Sequence, residues 1–75
     1  MKELKVKEII NLIMEEKIEI EDIFFYIPEI GYVQINEIFF ENGGVRVHNY
    51  QSDIEDYLDF NDKLFIKTFE KTIDN

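Results

Sequence analysis

Few side chains in this chain combine the type and spacing that catalysis or metal binding requires. His48 is the single histidine and cysteine is absent, so a Ser–His pair or a histidine-based metal site would depend on His48 alone. Gly43-Gly44 lacks the lysine and the helix start of a phosphate-binding loop. The sequence therefore predicts a protein that is not an enzyme and that binds no metal and no cofactor.

One segment near the C-terminus is rich in side-chain oxygen, as calcium-binding loops are. Its spacing differs from the D-x-D-x-D-G pattern of such loops, and the closing glutamate is missing. We interpret it as the solvated face of a helix rather than as a cation site. The segment contains Asp56, Asp59, Asn61 and Asp62.

The distribution of charge is the most informative feature of the sequence. Between Ile18 and Asp62 there are eleven acidic residues and one basic residue, Arg46, and the whole chain carries a net charge of -9. A block of one sign builds a field that steers a partner of the opposite sign. Direct binding to DNA, RNA or anionic lipid would need a basic surface. We therefore expect a basic protein partner, itself a nucleic-acid-binding protein.

Aromatic side chains accompany the acids. The chain has seven Phe and four Tyr in 75 residues, which is too many for one small core, so we expect some rings, such as Phe24 and Tyr32, to stay partly exposed. In protein-binding patches, rings supply contact area and carboxylates supply orientation. The predicted partner-binding residues are Glu19, Glu21, Asp22, Glu29, Glu37, Glu41, Asp53, Asp56, Asp59, Asp62, Phe39 and Tyr50.

The length fits a single domain, residues 1–75. Charges recur every few positions in the first seventeen residues, which argues against a signal peptide, and the uncharged stretches are too short to span a bilayer. The absence of cysteine suits a reducing interior. We expect a cytoplasmic protein.

The N-terminal half is predicted to contain a helix followed by strands. Apolar residues in the segment 6–14 recur at three- and four-residue spacing, which is typical of an amphipathic helix. A later run of β-branched and aromatic residues is stopped by Pro28, so a strand should end at Ile27. A turn over residues 28–31 then leads to a second strand that begins at Tyr32.

The strongest local signal is a β-hairpin. Asn42-Gly43 is the preferred pair for a two-residue type I′ turn, because both central residues of that turn need positive φ. The pairs that contain Ile38 and Phe40 are predicted to face the core. The expected register is Glu41 with Gly44, Phe40 with Val45, Phe39 with Arg46, Ile38 with Val47, and Glu37 with His48.

The apolar alternation slips upstream of this hairpin. In a regular strand, Val33 and Ile35 would lie on the face opposite to Ile38 and Phe40. A β-bulge near Asn36 would reconcile the two halves, and so would two separate short strands. We prefer the bulge.

After the hairpin a helical period returns. Ser52 and Glu55 have the spacing of a capping box, and Asn61 is a candidate cap for a further helix. One bent helix over residues 53–73 fits the pattern nearly as well. The predicted fold class is α+β: an N-terminal helix, a three-stranded antiparallel β-meander, then one bent or two short C-terminal helices, with the helices covering one face of the sheet.

The size, the acidic middle and this order of elements resemble those of small phage-encoded inhibitors of host defence, including some anti-CRISPR proteins and DNA-mimicking anti-restriction proteins. In the acidic members of that group, carboxylates take the place of DNA phosphates in the nucleic-acid cleft of an effector. The resemblance implies an inhibitor that works in the host-cell cytoplasm. It includes no motif, so the acids from Glu19 to Asp62 are candidates by charge alone. The alternative is a structural or accessory protein that forms a homodimer through a sheet face or an edge strand.

Overall fold

The computed structural model describes residues 1–67, which form two antiparallel sheets and one short helix. The elements are β1 (Lys2–Lys5), α1 (Val6–Met14), β2 (Ile23–Ile27), β3 (Gly31–Gln34), β4 (Glu37–Glu41), β5 (Gly44–Asn49), β6 (Ile54–Asp59) and β7 (Lys63–Ile66), with a 3₁₀ turn at Ile20–Asp22. The four-stranded sheet has the order β1-β7-β2-β3, and the three-stranded sheet has the order β4-β5-β6.

The predicted fold class is wrong. Residues 1–67 are mostly β, and α1 is the only α-helix among them. Within residues 1–67, seven strands in two sheets stand where a meander of three strands and the beginning of the C-terminal helices were predicted. The part of the predicted C-terminal helix that runs beyond Lys67 lies outside the described residues.

The predicted capping box is wrong because Ser52 belongs to a turn that Asn49 organises. The side-chain oxygen of Asn49 accepts hydrogen bonds from the Ser52 amide and the Ser52 hydroxyl, both at 2.8 Å. Asp53 then has a φ of 57°, a left-handed conformation that ends any right-handed helix. The strand β6 begins at the next residue.

The helical spacing of Ile54 and Leu58 also fits a strand. Both side chains lie on the inner side of β6 and pack against the core, as residues four apart in a strand must. Between them on the same side is Asp56, which is partly buried. This carboxylate interrupts the apolar alternation that would have identified β6 from the sequence.

The helix predicted over residues 6–14 is confirmed. The strand β1, which precedes it, was not predicted. The first two helical amides, of Val6 and Lys7, donate to the carbonyls of Asp62 (2.8 Å) and Phe60 (3.1 Å). These two amides have no partner inside the helix. The turn between β6 and β7 therefore caps α1, and β1 pairs with β7 beside it.

The strand predicted to end at Ile27 is confirmed, and the next strand begins at Gly31, one residue before the predicted start. The chain then changes sheets. The amide of Ile35 donates to the Ile23 carbonyl in the four-stranded sheet, and the amide of Asn36 donates to the His48 carbonyl in the three-stranded sheet. The preferred bulge is wrong, and the alternative of two separate strands is right.

The register predicted for the hairpin is confirmed for all five pairs. The turn type is wrong, since Gly43 has a positive φ of 88° while Asn42 has none, the pattern of a type II rather than a type I′ turn. The predicted core face is right for Val45 and Val47, which are buried, but Phe40 is 68% exposed. Phe40 lies near the end of β4, which is an edge strand.

The core lies between the inner faces of the two sheets and is closed by α1. Asn49 is the one buried polar residue within residues 1–67; its side-chain nitrogen donates to the Gln34 carbonyl at 2.5 Å and so ties β5 to β3. The buried apolar residues are Val6, Ile9, Ile23, Phe25, Val33, Ile35, Val45, Val47 and Leu64.

Candidate functional site

The outer face of the three-stranded sheet collects charged and aromatic side chains, and we call it the acidic face. Residues directly opposite each other in antiparallel strands point to the same side, so the register defines three rows across the sheet. The central row places Arg46 between Phe39 and Tyr57. The outer rows are Glu41, Gly44, Asp59 and Glu37, His48, Glu55.

Arg46 organises the middle of the acidic face. Its guanidinium contacts the carboxylates of Glu41 and Glu55, each at 3.3 Å, and its central carbon lies 4.2 Å from the centre of the Phe39 ring. Desolvation pulls the pKa of Arg46 down, but the hydrogen bond with Glu41 and the negative charge of Glu55 outweigh it and raise the pKa. One cation thus holds β4 and β6 against the central strand.

A second group of contacts lies at the β5–β6 turn. The His48 ring is 3.2 Å from an Asp53 carboxylate oxygen and meets the Tyr50 ring edge-on, with centroids 5.0 Å apart. The Tyr50 hydroxyl donates to the Glu37 carboxylate. This hydrogen bond, together with partial desolvation, raises the pKa of Tyr50. These contacts place Tyr50 and Asp53 on the acidic face although both lie outside the strands.

The acidic face carries an excess of negative charge. Within the described chain it holds five carboxylates, from Glu37, Glu41, Asp53, Glu55 and Asp59, against the single guanidinium of Arg46. Tyr57 and Tyr50 are 66% and 55% exposed. The face is therefore a patch of carboxylates around accessible rings, which can receive Lys or Arg side chains through ion pairs and through ring contacts.

Six of the twelve predicted partner-binding residues come together here: Glu37, Glu41, Asp53, Asp59, Phe39 and Tyr50. The other six do not. Glu29 lies in the turn between β2 and β3, and Asp56 lies on the inner side of β6. Glu19, Glu21 and Asp22 precede β2, and Asp62 lies in the β6–β7 turn.

Two of the acids that are absent from this face serve local structure. Asp22 accepts a hydrogen bond from the Glu19 amide at 3.1 Å, and Asp62 accepts one from the Asp59 amide at 2.9 Å. Asp59 itself accepts from the amides of Asn61 and Asp62. These carboxylates satisfy backbone donors in turns, so part of the acidic block serves the fold.

Sequence reasoning missed two members of the acidic face, Glu55 and Tyr57. Both were assigned to a helix, in which their side chains would point in different directions. The signal that could have found them is the alternation of Asp53, Glu55, Tyr57 and Asp59, which matches a strand of period two with a polar outer face.

The outer face of the four-stranded sheet is different, and we call it the aromatic face. Tyr32 lies beside Tyr26 and Phe65 in edge-to-face contact, with ring centroids 5.2 Å and 5.1 Å away. Tyr26 and Tyr32 are about half exposed, at 48% and 49%. The remaining positions on this face are Glu3, Lys5, Phe24, Gln34 and Lys63.

A shallow depression of about 290 Å³ borders the acidic face between the β4–β5 turn and β6. It is lined by Glu41, Tyr57 and Asp59 of the face and by Asp62 of the neighbouring β6–β7 turn, among others. Among residues 1–67, no three His, Cys, Asp or Glu side chains are arranged so that they could hold a metal ion.

No helix in the same range is long and apolar enough to cross a membrane.

Comparison with known proteins found no match: no protein-family model, no curated protein and no solved structure is significantly similar to this chain.

Proposed function

We propose that this protein is an acidic binding module that uses the acidic face to cover a basic surface of a nucleic-acid-binding protein and thereby inhibits that protein. One observation supports the proposal above the others. Five carboxylates surround exposed rings on one sheet face, and Arg46 is the single cation among them in the described chain. Such a surface attracts lysine and arginine side chains and repels nucleic acid.

The geometry favours recognition of a cluster of basic side chains over close imitation of duplex DNA. The Cα atoms of Glu37 and Glu41 are about 13 Å apart along β4, and β4 and β6 are about 10 Å apart across the sheet. A duplex of about 13 Å length carries about eight phosphate charges. The acidic face carries five, one of which Arg46 offsets. Charge steers the partner, and the exposed rings of Tyr50 and Tyr57 must supply much of the contact area.

In cellular terms, the proposal describes a cytoplasmic inhibitor. Its place is the host-cell cytoplasm if the chain is phage-encoded, where an anti-CRISPR or anti-restriction protein meets its effector. Inhibition requires no chemistry in this reading, since occupation of the basic surface is enough to exclude nucleic acid.

The test is to find the partner and measure competition. The DNA- and RNA-binding fraction of a bacterial extract is passed over the immobilised protein in low salt, and retained proteins are purified singly. Fluorescence anisotropy then reports whether the protein displaces labelled nucleic acid from each of them. We expect displacement that weakens steeply with salt, because exposed charges are screened.

Matched variants decide whether the acidic face is responsible. Tyr57→Ser with Glu55→Gln removes a ring and a charge from the face, whereas Glu29→Gln removes one charge from a turn elsewhere. Displacement should be lost in the first variant and kept in the second. Equal behaviour of the two variants, or retained proteins that still hold their nucleic acid, would refute the proposal.

A second candidate function is a homodimer formed through the aromatic face. Its support is the half-exposed ring cluster around Tyr32, whose members contact one another without polar partners among the described residues. Sedimentation over a wide concentration range tests it. A dimer that Tyr26→Lys converts to monomer would support this function, and a monomer at every concentration would exclude it.

A further inference from the structure

We propose a second binding site at the free edge of β3, where an extended segment of a partner protein adds to the four-stranded sheet as a fifth strand. This site is separate from the acidic face and does not rest on the function proposed above. Strand addition to an exposed edge is a general mode of peptide recognition, in which backbone hydrogen bonds give affinity and pockets for alternate side chains give specificity.

The backbone of β3 presents the groups that such a strand needs. The Ile35 amide donates to the Ile23 carbonyl, so the odd-numbered residues of this segment direct their backbone groups toward β2. Because these groups alternate along an antiparallel strand, those of Tyr32 and Gln34 point away from β2 to the free edge. The Gln34 carbonyl confirms the direction, since it accepts the Asn49 side chain. The Tyr32 amide, the Tyr32 carbonyl and the Gln34 amide are left for an added strand.

Charge distinguishes this edge from the other three. Among the described residues the edge strands are β1, β3, β4 and β6. Lysines lie on β1, Glu37 and Glu41 on β4, and Asp56 on the inner side of β6. Charged and inward-pointing polar residues are the usual protection of an edge against pairing. The strand β3, Gly31–Gln34, has no charged residue.

A groove of about 420 Å³ runs along this edge. One wall is β3 and the other is the β5–β6 turn with Gln51 and Ser52. All nine lining residues are uncharged, in a chain of which 33% of residues are charged.

The two-walled shape selects the occupant. The Asn49 side chain already occupies the Gln34 carbonyl, and Gln51 and Ser52 of the β5–β6 turn line the groove opposite β3. A single extended segment can enter such a recess, whereas the edge of a second folded copy would bring its own turn against this wall. The occupant we infer is therefore a segment of a partner protein.

The lining also predicts the side chains of that segment. In an added strand, alternate residues face the two sides of the sheet. Those on the inner side would lie near Val33 and Ile54, which favours Val or Ile. Those on the outer side would lie beside the Tyr32 ring, and Thr or an aromatic residue suits a cross-strand ring neighbour. The segment is uncharged where it lies in the groove.

Amide hydrogen exchange in the unaltered protein tests the geometry directly. The probe is a seven-residue peptide of alternating Val and Thr with Lys at both ends. In the free protein the Val33 amide should exchange slowly, while the amides of Tyr32 and Gln34 exchange fast. Saturating peptide should slow the latter two by about tenfold or more. Absence of saturable binding, or protection elsewhere only, would overturn the proposal.

A matched pair of variants tests the edge itself. Gln34→Pro removes the outward amide, which proline at an edge tolerates, and Gln34→Ala keeps that amide. Both lose the side-chain bond from Gln34 to the Glu21 carbonyl. Peptide binding should vanish in the proline variant and persist in the alanine variant. Equal binding by both would overturn strand addition. Protection of Tyr32 and Gln34 in a dimer without peptide would assign the edge to a second copy and overturn the partner segment.

Discussion

The two outer sheet faces of this small protein are held together in opposite ways. On the acidic face, an arginine bridges carboxylates on both neighbouring strands, and tyrosine and histidine extend the network into the turn. On the aromatic face, rings on three strands contact one another, and Lys5 lies directly opposite Lys63. The first face is ordered by charge and the second by apolar contact.

The difference shows that the acidic block of the sequence is not one surface. Some of its members bind Arg46, some lock turns, and one lies on the inner side of a strand. None of the strand positions on the aromatic face is taken by a member of this block. Charge counted along the chain therefore overstates the charge available to a partner, and the register of the sheets decides which carboxylates act together.

The largest expected effect comes from adding a side chain at Gly44, where β5 and β6 lie close together on the acidic face. A Cβ at this position would overlap the Leu58 carbonyl oxygen and lie 2.8 Å from the Asp59 Cα, so β5 and β6 could not keep their spacing. Gly44→Ala should lower the free energy of unfolding by about 3 kcal/mol. Urea denaturation measures it.

Gly43→Ala is the matched control. A Cβ at Gly43 meets nothing within 4 Å, and its φ of 88° alone opposes a side chain, at a cost of about 1 kcal/mol. Equal effects at the two glycines would mean that the close approach of β5 and β6 contributes little to the acidic face.

The next effect concerns the link between the two sheets. Asn49→Ala removes the bond to the Gln34 carbonyl and both bonds from Ser52. Because Asn49 is buried, its loss should cost about 2 to 3 kcal/mol. Ser52→Ala removes only the hydroxyl bond and should cost about 1 kcal/mol or less. If Asn49→Ala unfolded in two separate transitions, each sheet would be a stability unit of its own, and the two faces could be studied independently.

Local signals in the sequence were sufficient where an element is determined by residues that are close to one another along the chain. The hairpin register followed from Asn42-Gly43, and the end of β2 followed from Pro28, because turn chemistry fixes both within a few residues. The helix over residues 6–14 followed from its apolar period. The part of the acidic face that lies on β4 and β5, about half of it, could thus be predicted.

The rest depends on contacts between distant residues. Ser52 has the spacing of a helix cap, but its amide and its hydroxyl donate to the Asn49 side chain. Asn49 in turn is held by the Gln34 carbonyl, fifteen residues earlier in the chain. The strand β7 is placed by pairing with β1 at the other end of the chain. No local propensity reports such pairing. Glu55 and Tyr57 were therefore assigned to a helix, and the acidic face could not be completed.

A smaller effect on the melting temperature is expected when a cation is removed from either face. Arg46→Met should lower the melting temperature in low salt, because Glu41 and Glu55 lose their shared partner. The loss should shrink at about 1 M salt, where screening acts within about 3 Å. Lys63→Met removes a like-charge neighbour of Lys5 and should leave the melting temperature unchanged or slightly higher. The same sign for both variants would contradict the view that charge orders only one face.

The smallest effect is on titration at the acidic face. The hydrogen bond to the Glu37 carboxylate raises the pKa of Tyr50, so folding favours the neutral phenol. The stability this gives is complete below about pH 10, the unfolded value, and is lost as the pH rises through the raised pKa.

Glu37→Gln should lower the pKa of Tyr50, because the hydroxyl then donates to a neutral acceptor and no charge opposes the phenolate. The measurement is the ¹³C chemical shift of the Tyr50 ring against pH. Glu41→Gln is the control, since Glu41 contacts Arg46 at the far side of the face, and it should leave the Tyr50 curve in place. If both variants shifted the curve equally, the general field of the five carboxylates would control Tyr50. The acidic face would then be a diffuse charge rather than a set of specific contacts, closer in kind to an unordered acidic surface than the comparison with the aromatic face implies.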